Sequence, residues 1–260
     1  MLLALDVGNT ETTVGLFQGE QLAGHWRLTT TTARTPDEWA ALLSAYLANA
    51  GHSPSGVRAA VVASVAPLVT QSLCDGLAAA TGVTPLLVDA RSKLPIHLDV
   101  DEPLTVGADR VVNTLAAAHL FKRDTIVVDF GTATTFDCIT ADARFIGGVI
   151  MPGVHTASDE LVRRTAKLPA TELTPPERVI GKRTEDCIRA GVLWGTADAV
   201  DGIIRRIRSE WPVTGGVPFV VATGGLAPLV APLTREIESV QPDLTLVGLR
   251  LAAQALGLGW

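Results

Sequence analysis

Cysteine is scarce in this sequence, and its placement does not favour pairing. The 260 residues hold three, Cys74, Cys138 and Cys187, far apart and without a C-x-x-C spacing. That pattern excludes a disulfide framework or a zinc knuckle and fits reduced thiols in a cytoplasmic protein. Excess positive charge is missing too: Lys and Arg number 21 against 27 Asp and Glu, a net charge of −6. A nucleic-acid partner is therefore not expected, because no basic patch is present to displace counterions. Arg205, Arg206 and Arg208 read as a solvated helix face. No apolar run approaches the ~20 residues of a membrane span. The opening MLLALD has no basic leader before its apolar run stops at Asp6, so no secretory signal is expected either.

Several familiar site motifs are absent as well. VIGKRTED looks like a P-loop only superficially, since Arg183 follows Lys182 and Pro176 stands where the first glycine is required. No G-x-G-x-x-G follows a strand, which removes the dinucleotide fingerprint. The five histidines (His25, His52, His97, His119 and His155) are scattered and read as structural or surface residues rather than metal ligands. No G-x-S-x-G elbow suggests a hydrolase.

What is present describes a compact globular chain, with 47% hydrophobic and 18% charged residues and a length suited to one large domain or two of ~130 residues. Strands are expected at 1–7, 12–17 and 22–28. A helix follows from Thr35 as N-cap, with Pro36 at its first position, Glu38 closing a capping box and Gly51 as its stop. VRAAVVAS (57–64) reads as a buried parallel strand. Then come a helix over 66–81, a strand at 85–89 and a helix starting near 107. The second half adds helices near 152–165 and 184–209, a strand at 217–223, a helix after GGLAP, a strand at 244–248 and a closing helix.

Two segments echo each other. LLALDVGNTETTVGLF and TIVVDFGTATTFDCIT align at an offset of 123, putting Asp129 on Asp6, Gly131 on Gly8, Thr135 on Thr12 and Ile139 on Leu16. Gly147 falls on Gly24, each just after the third strand of its half. We read a long-period duplication that yields an α/β fold of two similar lobes with a nucleotide cleft between them. One lobe would be residues 1–118 and the other 119–260, with the last helix packing back on the first.

One D-x-G turn could be an ordinary turn whose Asp bonds its own backbone. Two at equivalent places argue for a shared site. Small glycine and threonine turns offer N–H and hydroxyl donors to a phosphate chain, and a carboxylate beside them can hold Mg²⁺ or its waters. In VGADRVVN, Asp109 and Arg110 stand at a predicted helix start. Asp109 could simply complement the helix dipole. Alternatively it accepts the proton of an attacking hydroxyl, and Arg110 binds an anionic group. A helix-end Asp is expected to have a lowered pKa.

Together these stretches resemble the type III pantothenate kinases of the acetate-kinase, sugar-kinase, Hsp70 and actin superfamily. DVGNTETT resembles the family's first phosphate motif, VGADR its pantothenate motif and DFGTATTFD its second phosphate motif. GGVIMPG, TAKLP, IGKRTEDCIRAGV and ATGG follow in the same order. The resemblance implies a duplicated ribonuclease-H-like, actin-like ATPase fold that phosphorylates pantothenate with ATP. It assigns ATP binding to Asp6, Val7, Gly8, Asn9, Thr10, Glu11, Thr12, Thr13 and Thr132, with Asp6 on the Mg²⁺ side, through water. Gly107, Ala108, Asp109, Arg110 and Thr184 would hold pantothenate, with Asp109 as proton acceptor. Asp129 would bind a monovalent cation, K⁺ or NH₄⁺. The ATGG glycines, Gly224 and Gly225, would lie on the adenosine side. Val100 departs from the family, standing where many members have a tyrosine facing the substrate. The family is homodimeric, and Gly191, Gly195 and Ala199 form a small-residue stripe at i, i+4 and i+8 that could pack within a subunit or between two. The alternatives are a superfamily kinase or phosphatase for another small substrate, and a non-catalytic regulatory homologue.

Overall fold

The computed structural model describes residues 1–212 and 216–260. In chain order the elements of its first half are β1 (Leu2–Val7), β2 (Glu11–Gln18), β3 (Gln21–Thr29), α1 (Pro36–Asn49), β4 (Ala59–Ser64), α2 (Pro67–Thr81), β5 (Leu86–Val88), β6 (His97–Leu98) and α3 (Ala108–Phe121). The rest are β7 (Thr125–Phe130), β8 (Ala133–Ile139), β9 (Arg144–Pro152), α4 (Val154–Arg164), α5 (Thr184–Glu210), β10 (Phe219–Thr223), α6 (Ala227–Val230), β11 (Ser239–Val240) and α7 (Leu244–Ala255). They gather into two compact units: Met1–His119 with Leu244–Trp260, and Leu120–Asp243.

The first unit's sheet runs β3-β2-β1-β4-β5, with β1, β2 and β3 antiparallel and β4 and β5 parallel to β1. The second unit repeats that path as β9-β8-β7-β10-β11, with the same pattern of directions. The expected fold of two similar α/β halves is therefore what the chain adopts. Each half opens with a meander whose tight turns need no crossover. Each then adds parallel strands reached through helices, as parallel pairing requires.

Alternation along β1 sets the position of its carboxylate. Leu3, Leu5 and Val7 pack with Trp39, Leu43, Leu73 and Leu77 of α1 and α2. Leu2 and Ala4 face the opposite layer, with Ala108, Val112 and Leu115 of α3 and Leu246 and Leu249 of α7. Successive strand side chains point to opposite faces, so Asp6 falls on the α3 and α7 side. In the second unit Ile126, Val128 and Phe130 pack against Leu193, Val200 and Ile204 of α5, which leaves Asp129 on the other face of its sheet. α1 has the expected punctuation: the Glu38 amide donates to Thr35 Oγ1 at 3.3 Å, the Thr35 amide to Glu38 Oε2 at 2.8 Å, and Gly51 stands at φ +79°. Among the described residues no helix is long and apolar enough to cross a membrane.

Three expectations are corrected. Residues 244–248 are not a strand but the start of α7; the short strand that closes the second sheet is Ser239–Val240, beside β10. The helix accepts Gly248 because a close crossing needs it, since a Cβ there would run into the Val112 backbone of α3. Gly24 and Gly147 lie within β3 and β9 rather than after them. The constant offset of 123 also fails beyond the turns. Thr12 stands opposite Val7 and Thr134 opposite Phe130, so the partner of Thr12 is Thr134, not Thr135. The second turn is one residue shorter, and the bulges at Leu16/Phe17 and Asp137/Ile139 follow the new register.

Candidate active site

The first turn is closed by the Gly8 amide, which donates to the Glu11 carbonyl at 3.0 Å. A Cβ on Gly8 would lie 2.9 Å from that same oxygen, so the turn is tight because residue 8 has no side chain. Asn9, Thr10 and Glu11 are exposed, whereas Val7 is buried. Thr12 is also buried, its hydroxyl 2.8 Å from that of Thr30, whose own amide bonds the Thr10 carbonyl at 2.8 Å. Thr12 thus anchors the turn from beneath, and the exposed members present its polar groups. Thr13 lies opposite Asp6 on the neighbouring strand, and both are half-buried. Thr30 was not legible as part of this arrangement, because nothing local in RLTTTTAR distinguishes it from its three threonine neighbours.

Asp109 stands in the first turn of α3. Its Oδ1 accepts the Arg110 amide at 2.8 Å. A Cβ on Gly107 would be 2.5 Å from that Oδ1, so Gly107 is what leaves the carboxylate its place. Burial pushes the Asp109 carboxyl up, against the Arg110 amide and guanidinium, which pull it down. The expected lowering is thus overturned: desolvation outweighs the helix N-terminus and the neighbouring cation. Arg110 and Gly107 are half-buried and Ala108 is buried. Val65 joins this helix start to the first turn. Its amide donates to the Val7 carbonyl at 3.0 Å, and its Cγ1 is 3.5 Å from the point where a Gly107 Cβ would stand. Within the first unit the structure therefore brings the Gly8 turn and the Gly107–Arg110 segment together. Val100 is half-buried in the segment between β6 and α3.

Asp129, Thr132 and Thr184 belong to the second unit. The Gly131 amide closes the second turn on the Ala133 carbonyl at 3.0 Å. The Thr132 carbonyl accepts from the Gly153 amide at 3.1 Å and from the Thr156 hydroxyl at 2.6 Å. A side chain on Gly153 would meet the carbonyls of Gly131 and Thr132, so α4 starts directly against the turn. The PG of GGVIMPG was the available signal for that contact. Gly224, at φ +89°, gives up its side-chain space to Asp129 Oδ1 and the Phe130 backbone. Its place is thus explained by the Asp129 carboxylate.

Thr184 opens α5 and is exposed. It lines a hollow of about 530 Å³ shared with Met151, Leu161, Cys187, Gly191 and Gly195. Nothing lies within 4 Å of a Cβ built on Gly191 or Gly195, so these glycines make no close helix contact within the described chain. Among the described residues no group of three or more His, Cys, Asp and Glu is placed to hold a metal ion. Any divalent ion at Asp6 would be completed by phosphate and water oxygens, the usual manner for Mg²⁺.

Known proteins are similar to this chain over nearly its whole length. A relative from Moorella thermoacetica, described as a type III pantothenate kinase, is 43% identical, covering 96% of this chain and 98% of its own length. A protein of the same description from Thermomicrobium roseum is 42% identical over 98% of both chains. Among solved structures the fold is similar to a Campylobacter jejuni protein described as a Baf family transcriptional activator, with a TM-score of 0.61, 16% identity and 97% coverage of both chains. It is also similar to the activator of 2-hydroxyisocaproyl-CoA dehydratase from Clostridium difficile with bound ADPNP, with a TM-score of 0.56, 14% identity and coverage of 98% and 92%. The model of the type III pantothenate kinase family matches residues 2–206, and with two relatives above 40% identity over nearly their whole length, the chain belongs to that family.

Proposed function

We propose that this chain transfers the γ-phosphoryl group of ATP to the primary hydroxyl of pantothenate, giving ADP and 4′-phosphopantothenate, the first step toward coenzyme A. The observation that carries the reading is Asp109, a carboxylate given its place by Gly107 at a helix start and raised in pKa by burial. A base is more effective as its pKa approaches the working pH, so a raised Asp109 suits proton acceptance from an alcohol. The hydroxyl oxygen bonds to phosphorus as the bond to ADP breaks, and the proton goes to Asp109. In phosphoryl transfer positioning and electrostatics supply most of the acceleration.

Each remaining residue has a part in this reading. The turn from Asp6 to Thr13 and the second turn at Thr132 each offer N–H groups and hydroxyls to the triphosphate and its transferring charge. Asp6 would hold Mg²⁺ through water, and a bound ion there would supply neutralisation of phosphate charge. Asp129 would hold a monovalent cation, K⁺ or NH₄⁺, its carboxylate standing beside the Phe130 backbone and two small residues, Gly131 and Gly224. Gly107, Ala108, Arg110 and Thr184 hold pantothenate, with Arg110 placed for its carboxylate. Two chains pair along α5, a reading supported by the open space over Gly191 and Gly195. Three cysteines that form no disulfide accord with a cytoplasmic enzyme.

The test is ADP release coupled to pantothenate, measured with and without K⁺. Turnover that needs both is the expected result. A chain that binds ATP and pantothenate but releases no ADP would be a regulatory homologue, and turnover indifferent to K⁺ would remove the role given to Asp129.

A further inference from the structure

The Thr245 hydroxyl of α7 donates to Asn113 Oδ1 of α3 at 2.9 Å, across 132 residues of sequence. Asn113 is 1% exposed and Thr245 is half-buried. Their helical neighbours are apolar. Val111, Val112, Leu115 and Ala116 on α3, with Leu246 and Leu249 on α7, are all buried. Asparagine is a weak helix former, and a buried amide is costly unless it is hydrogen-bonded. Packing alone would be better served by an apolar residue at 113. A closer contact lies beside the bond. Thr245 and Gly248, three residues apart, share a face of α7, and a Cβ on Gly248 would run into the Val112 carbonyl oxygen.

The last helix thus holds α3 at residues 112 and 113, three and four positions after Asp109. Those spacings put both on the side of the helix that carries Asp109, one turn further along. The missing side chain of Gly248 sets how near the two helices come. Burial of apolar surface has no direction, so it tolerates a small slide or roll of one helix on the other. A hydrogen bond has a narrow range of length and angle. The Thr245–Asn113 bond therefore selects one register, as a single buried polar residue does in helix assemblies. Asp109, one turn away in the same helix, takes its place from that register.

We propose that Thr245 and Asn113 are positioning residues, a register pair that sets where α3 presents the Asp109 carboxylate. The inference rests on the reading of Asp109 as proton acceptor. Neither side chain meets the reacting atoms; the effect runs through the helix. A misplacement of about 1 Å can cost roughly 10²-fold in rate, so a small slip of α3 is enough.

The experiment measures kcat and KM with ATP and pantothenate in wild type, Thr245→Val, Thr245→Ala and Thr245→Ser, each well below its melting temperature. Thr245→Val keeps the shape and removes the donor. Its kcat should fall by roughly 10- to 100-fold, with KM for ATP unchanged. Thr245→Ala should lose as much, and Thr245→Ser, which keeps the hydroxyl, should stay close to wild type. The deciding comparison repeats Thr245→Val in an Asp109→Asn chain. Because the pair acts through Asp109, the substitution should slow that chain little, a non-additive result. A Thr245→Val chain that melts lower yet keeps the wild-type kcat would overturn the register role. So would an equal loss with and without Asp109, and both outcomes leave the proton acceptor standing. An Asp109→Asn chain as fast as wild type, or a wild type without turnover, would overturn both readings.

Discussion

Asp129 Oδ1 lies in the space that a side chain on Gly224 would need, and Gly224 itself stands at φ +89°. Residue 224 is therefore constrained twice, by the backbone and by the carboxylate. Gly224→Ala is expected to cost about 2–4 kcal/mol, combining left-handed strain with a displaced buried neighbour. Urea or thermal unfolding reads the loss. If Asp129 holds the monovalent cation, the same variant should need more K⁺ for half-maximal activity.

Gly107 has a simpler constraint. Its backbone is not left-handed, and the clash of an added Cβ is with the end of the Asp109 side chain. Gly107→Ala should therefore spare folding, with a change under about 1 kcal/mol. A displaced base should still lower kcat by roughly 10²-fold. Equal losses in stability and activity would contradict this account of the pair.

Asp109→Asn separates the two sides of burial. Removing the proton acceptor should lower kcat by about 10²- to 10⁴-fold. Burial raises the Asp109 pKa in the folded chain, so the folded state keeps its proton to higher pH than the unfolded one. Stability then falls as pH climbs from the unfolded value, about 3.9, through the folded value, and stays reduced above it. The Asn variant should accordingly melt higher than wild type at pH 7.5, with the gap closing toward pH 4. Wild-type activity should likewise fall away on the acid side at a pH above the usual carboxylate range. A variant that melts lower at pH 7.5 would show that the ionised carboxylate stabilises the fold.

Gly191→Ala with Gly195→Ala tests the pairing of chains. Nothing among the described residues meets a Cβ at either position, and alanine in a helix interior is worth roughly 0.5–1 kcal/mol over glycine. The double variant should fold at least as well as wild type. If α5 packs closely on a second copy, sedimentation should show a shift toward monomer. A dimer of unchanged strength would place the interface elsewhere.

Much of this was legible because the residues concerned act locally. The capping box at Thr35 and Glu38, the apolar run into β4 and the two D-x-G turns each carry their cause within a few residues. The equivalent places of Asp6 and Asp129 in their two sheets were also visible, since both precede small turns after apolar runs. Other features depend on neighbours distant in sequence. LTLVG has strand composition, and only its packing against α3, with Gly248 on the Val112 backbone, makes it helical. Asp109 at a helix start promises a lowered pKa; its desolvation in the folded chain reverses the sign. The missing residue in the second turn was hidden because threonines at 134 and 135 satisfy either alignment, and only strand register tells them apart.

The return of Leu244–Trp260 to the first sheet also sets an order of assembly. The second unit is one unbroken stretch, and all of its strands exist once Asp243 has left the ribosome. The first unit begins the chain yet still waits for α7 to cover Leu2, Ala4 and Phe17, and for the Trp260 indole to reach the Gly19 carbonyl at 3.3 Å. The half synthesised first is thus the half finished last, and its open sheet face is the surface that must be shielded from other chains in the interval.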